Sequence, residues 1–176
     1  MASFGQCDRN RRFKSATIAA MSFDVFLQRF EGGAPGIVNR DRVRAVLMSR
    51  EFTGPDEFGF YDVSFSDAVH AEFSAKGLAE GTEFDSCALH IRSISPDLVQ
   101  FLWEIATAGD MVILPAMEDF VLIMSSPEQA RSLPSELSRD NQQSVICGSA
   151  AELELLLAGG YSGWKKYREQ INGALL

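Results

Sequence analysis

The chain predicts one two-layer α+β domain over residues 21–176, with an antiparallel or mixed sheet and its helices on one face. Three observations predict it. Apolar residues make up 46% of the 176 and charged residues 23%. That balance is ordinary for a globular chain and excludes collagen-like, fully disordered and disulfide-scaffold classes. A chain of this length buries roughly 70% of its unfolded surface, enough for a core without metal or disulfide. The strand-like runs are mostly joined by short turn-forming segments, so hairpins outnumber crossovers.

The elements follow in order. Ser22–Phe30 is rich in aromatic and branched residues and ends at Glu31-Gly32-Gly33, a strand closed by a turn. Its apolar side chains fall on both parities, Phe23, Val25 and Leu27 against Phe26 and Phe30. That predicts a central strand buried on both faces. Asn39 or Asp41 caps a helix running to about Arg50, with Val43, Val46 and Leu47 as its buried stripe. Phe52–Glu57, holding Gly54-Pro55, is a loop. Phe58–Phe65 and Val69–Ala75 alternate apolar and polar residues around a turn at Ser66-Asp67-Ala68, a hairpin with one wet face.

Phe84–Ile94 is a further strand with Cys87, Leu89 and Ile91 on one face. Ser95-Pro96-Asp97 is the clearest helix start. Serine accepts from free N–H groups, proline suits the first turn, and aspartate favours the positive helix end. Gly109 stops that helix. Met111–Leu114 and Phe120–Met124 are apolar strands. Ser126–Gln129 is a capping box whose helix must end before Pro134, and Arg139–Gln143 is polar loop. Ser144–Cys147 is a short strand. Ser149–Glu152 is another capping box, and Gly159-Gly160 divides the helix it opens from a last helix, Ser162–Ile171.

The formal charge of −8 argues against nucleic acid as partner. It is unevenly spread. Arg9, Arg11, Arg12 and Lys14 stand against Asp8 in residues 1–20, a local +3 that leaves −11 on the rest. This segment has no hydrophobic periodicity, and its apolar stretch is too short for a signal peptide. Residues 1–20 are therefore expected to lie outside the fold, with Met21 an alternative start. No apolar run approaches the ~20 residues that span a bilayer. Cys7, Cys87 and Cys147 are an odd count without a CxxC, which makes a disulfide framework unexpected and a reducing cytoplasm the expected compartment.

No residue declares itself catalytic. The glycine clusters at 32–36 and 159–163 lack phosphate-loop spacing. Cys87 and His90 are three apart in a strand and point to opposite faces, so they make neither a metal site nor a nucleophile–base pair. His70 falls on a polar face. Carboxylates such as Asp56, Asp62, Glu118 and Asp119 abound, but nothing in the sequence gathers two in one cleft. No named catalytic motif, cofactor signature or metal ligand set is present. Trp103 lies about 100° off the stripe set by Leu98, Leu102 and Ile105. It is either an interface anchor or a residue covered by the C-terminal helices.

From Met21 onward the chain resembles a family of small bacterial proteins that open with a segment nearly identical to Met21–Phe30. They also carry segments like Gly109–Pro115, Ser126–Ala130 and Leu133-Pro134. The family has no assigned reaction, so the resemblance implies the Met21 start and no site residue.

The expectation is a cytoplasmic, non-catalytic, acidic binding module, in general character like the immunity proteins that neutralise basic toxins. Trp103, Glu118 and Asp119 are its candidate contacts with a basic protein partner. The alternative is a small-ligand-binding or regulatory domain with a pocket between sheet and helices, lined from the 13 phenylalanines. The sequence leaves monomer and homodimer open.

Overall fold

A computed structural model describes residues 22–66, 68–79, 83–116, 121–139 and 143–174, without the side chains of Ser138, Arg139 and residues 163–174. The expectations for residues 1–21, Asp67, Glu118 and Asp119, and for the side chains of the last helix, lie outside that description.

The fold is α+β. Strands β1 (Phe23–Gln28), β4 (Glu51–Thr53), β5 (Phe60–Ser64), β6 (His70–Ser74), β7 (Ser86–Ile91), β8 (Val112–Pro115), β9 (Val121–Met124) and β10 (Gln143–Ile146) form one sheet. Its order is β10-β9-β8-β1-β7-β6-β5-β4. Among the described residues only β9 and β10 pair in parallel, so the sheet is mixed. A separate small hairpin joins β2 (Phe30–Glu31) to β3 (Ala34–Pro35). The helices are α1 (Arg40–Met48), α2 (Pro96–Gly109), α3 (Pro127–Arg131), α4 (Ser135–Arg139) and α5 (Ala150–Ala174).

Three helix starts follow their signals, whereas at α3 Ser126 makes no side-chain cap and Gln129 Oε1 accepts from the Ser125 N–H at 2.8 Å, so the expected capping box does not form. Asn39 accepts from the Arg42 N–H at 3.2 Å, and Ser95 accepts from the Leu98 N–H at 3.3 Å. Glu152 reaches back to the Gly148 N–H at 2.7 Å while its own N–H donates to Ser149 Oγ. At the end of α2 the left-handed residue is Asp110, φ 51°. Gly109 serves close packing instead, because a Cβ there would stand 2.5 Å from Met111 Cε and 3.1 Å from Val38 Cγ1.

The main core lies between one sheet face and the helices. Phe23, Val25, Leu27, Val63, Phe73, Leu89 and Ile91 project from the strands. Val43 and Leu47 of α1, Leu98, Phe101, Leu102 and Ile105 of α2, and Leu153 and Leu157 of α5 meet them. The Phe101 ring stands edge-on to Phe65 and Phe73 at 5.6 and 5.7 Å.

Four further details depart from the sequence reading. β1 is central, but only one of its faces is buried; Phe26 is 46% exposed. Its place comes from pairing with β7 and β8 rather than from cover on both sides. The 52–57 loop contains the outer part of edge strand β4, whose three residues are all exposed. Gly159-Gly160 does not divide the last helix, since α5 runs unbroken. A glycine costs a helix about 1 kcal/mol, which packing can offset. Here Tyr161 anchors the helix just past the pair, its hydroxyl donating to the Arg92 carbonyl at 2.5 Å and its ring edge-on to Phe23 at 5.9 Å. Finally, at one end of the sheet the reverse face is covered too. Val112, Leu122 and Met124 pack there with Phe30, Leu133 and Leu137.

Candidate functional site

The reverse face beyond β8 carries no such cover among the described residues. Strand alternation puts there the residues that the core face does not use. Pairing aligns them in rows across the strands. Asp24, His90, Glu72 and Asp62 form one row over β1, β7, β6 and β5. Phe26, Ala88, Ser74 and Phe60 form the next.

The first row is an electrostatic chain. His90 Nδ1 lies 2.8 Å from Asp24 Oδ1, which also accepts from the Ser22 hydroxyl at 2.6 Å. A carboxylate can only accept, so it is Nδ1–H of the ring that donates to Asp24, leaving Nε2 directed away from the pair. The imidazole sits beside Phe60, ring centroids 5.8 Å apart. Arg92 donates to Glu72 at 2.9 Å. His70 Nδ1 stands 3.9 Å from Asp62 and 3.2 Å from Ser64 Oγ, in a largely exposed position that agrees with the polar face expected for it.

Two open concavities lie on this face. One, of about 700 Å³, sits over β5 and β6 against the 53–58 loop and is lined by Phe58, Phe60, Asp62, Glu72 and His90 among others. Its wall depends on Gly54. At φ +107° a side chain is strained, and a Cβ would meet the Phe60 carbonyl oxygen at 2.6 Å. Asp56 then closes the loop, its Oδ1 accepting from the Phe58 and Phe60 N–H groups at 2.9 Å each. The second, about 740 Å³, lies over β1 and β7, with Phe26, Lys76, Glu83 and Asp85 in its lining. Together they hold five carboxylates (Asp56, Asp62, Glu72, Glu83, Asp85) against two cations, Lys76 and Arg92.

Chemically the His90–Asp24 pair is the orienting half of a nucleophile–base–carboxylate relay. Among the described residues no serine or cysteine hydrogen-bonds to His90 Nε2, so the nucleophile half is not assembled. Cys87 is on the opposite face from His90, as strand parity requires, and burial raises its thiol pKa far above the ordinary value. Cys147 is likewise raised, first by burial. Neither is a ready thiolate. No group of three or more His, Cys, Asp or Glu that could hold a metal occurs among the described residues. No helix among them is long and apolar enough to cross a membrane.

Trp103 is half-buried and packs against the main core, in the helical layer. It therefore lies on the other side of the sheet from the bare face. Sequence reasoning singled out neither Asp24 nor Phe26, and it did not join His90 to Asp24. Only the β1–β7 register brings Asp24 and His90 together across 66 positions. The surplus apolar parity of β1 was the one local signal, and it marked an exposed phenylalanine rather than a buried one. No protein-family model, curated protein or solved structure matches the chain.

Proposed function

We propose that the chain is a non-catalytic binding module of inhibitor or immunity type, and that its bare sheet face takes a basic protein partner. The observation that carries this reading is a sheet face left uncovered, with exposed Phe26 lining one carboxylate-rich concavity and a second lying over β5 and β6. An exposed aromatic supplies apolar area at the centre of a contact. Surrounding carboxylates steer an oppositely charged partner and raise its on-rate.

The test is affinity capture by the full chain and by its Phe26→Ala/Asp85→Asn variant, from lysate of cells that express it naturally. A basic protein held stoichiometrically by the native chain, released at high salt and missed by the variant, supports the reading. Equal capture by both chains places the contact elsewhere and overturns the assignment of this face. A small-ligand role is the second reading. It is favoured by the concavity volumes, which fall in the ~300–1,000 Å³ range of ligand sites. Both concavities lie on the solvent side, not between sheet and helices where the sequence put the pocket. Stabilisation in a thermal-shift screen that is lost on Phe60→Ala would favour it.

A further inference from the structure

We infer that the concavity over β5 and β6 receives an arginine side chain of the partner, a proposal that rests on the basic-partner reading above. Three features of the site match a guanidinium better than an ammonium. Phe58 is 66% exposed and Phe60 stands near it on the same wall, so aromatic surface is offered for a planar cation to stack on. Asp62 sits two residues from Phe60 on the same strand face, about 6.7 Å along the strand. A guanidinium stacked on the ring therefore has a carboxylate at its edge, within reach of its fork of N–H donors.

The third feature is charge already committed. Glu72 takes Arg92 through Oε1, and Asp56 spends Oδ1 on backbone N–H groups. Among the described residues Asp62 has only the 3.9 Å approach of His70, and its side chain is 61% exposed. It is the carboxylate in this lining most available to an incoming donor. The pairing of Arg92 with Glu72 also shows that this face accommodates a guanidinium against a carboxylate.

The probes are hexa-arginine and hexalysine peptides of equal charge. They are titrated into the isotope-labelled full chain at low salt, with affinity and backbone amide shifts as readouts. The expected result is tighter binding of hexa-arginine, with shifts centred on residues 56–62 and 70–72. Phe58→Ala and Asp62→Asn should each weaken hexa-arginine roughly two- to fivefold. Asp85→Asn, in the other concavity, should change it by less. Phe58 is exposed, so Phe58→Ala should leave the remaining amide spectrum intact and report binding rather than folding. Equal affinity for both peptides, with Asp85→Asn costing as much as Asp62→Asn, overturns the arginine site while the acidic-face reading stands. Loss on Asp62→Asn but not on Phe58→Ala overturns the stacked geometry, and so the inference. Binding of neither peptide to this face overturns both readings.

Discussion

The two ends of the sheet's reverse face behave differently. At the β8–β9 end, Val112, Leu122 and Met124 are almost fully buried beneath Phe30, Leu133 and Leu137. Over β1, β7, β6 and β5, the same side of the same sheet shows Phe26, Phe60 and a row of titratable groups. Strand geometry is common to both ends. What differs is the path of the chain after β9, where the segment through Leu133 and α4 crosses the reverse side and goes no further. The composition of the strands matches. β8 and β9 are unbroken apolar runs, whereas β5 and β6 alternate. β1 sits at the boundary, pairing Phe26 with Leu114 on one side and Ala88 on the other. Its extra phenylalanine is therefore an apolar residue retained on a wet face.

Both ends share the core on the helical side, so the largest effect is expected there. Phe73→Ala should cost about 3–5 kcal/mol in chemical denaturation, because Phe73 is fully buried against Phe101. The contrast between the ends is sharpest in a matched pair. Leu122→Ala should cost about 2–4 kcal/mol, and Phe26→Ala under about 1 kcal/mol. Equal costs would mean that the bare face is covered in solution, and the comparison would fail. Gly54→Ala should cost about 1–3 kcal/mol through backbone strain, and it should also disturb amide shifts along the 53–58 loop.

Asp97 tests how the bare end is pinned to the helical layer. Its Oδ2 accepts from the Ser66 N–H at 2.9 Å and hydroxyl at 2.8 Å, tying the β5–β6 turn to the start of α2. Those bonds, with a smaller contribution from Arg50, hold its pKa below the ordinary 3.8. A depressed carboxylate stabilises fully above its unfolded pKa, and that stability is lost as pH falls through the folded value. Asp97→Asn should cost about 1 kcal/mol at neutral pH. It should also flatten the stability profile below about pH 4, measured as denaturation midpoint against pH. The smallest signal separates the two sides of the sheet. In a Cys7→Ser chain, Cys87 and Cys147 should resist a thiol reagent until the protein unfolds, since both are buried on the core side. Prompt reaction in native buffer would show that side to be open.

Sequence reasoning reached features whose causes are local. The Ser95-Pro96-Asp97 start, the Asn39 cap and the wet-faced hairpin depend on neighbours within a few positions, and the structure has each of them. Features set by distant partners were out of reach. The three residues of β4 are too few to show a period, and their strand character comes from β5. The continuity of α5 depends on Tyr161 finding Phe23 and Arg92. The His90–Asp24 pair depends on register between strands far apart in the chain. Both histidines were placed on the correct face, yet the companions across the sheet that define the site come from topology.

The central position of β1 also has a consequence during synthesis. Its partners are β7, where Phe26 meets Ala88, and β8, where Phe26 meets Leu114. A ribosome adding about 5–20 residues per second takes roughly 4–18 s to travel from Phe26 to Leu114. Phe26 therefore emerges from the ribosome about that long before Leu114 does, and until β8 follows, an aromatic-rich strand has at least one edge unpaired. Such edges are templates for wrong pairing. Nascent chains stalled before and after Pro115 has emerged from the ribosome should therefore differ sharply in their hold on a chaperone that binds extended apolar segments.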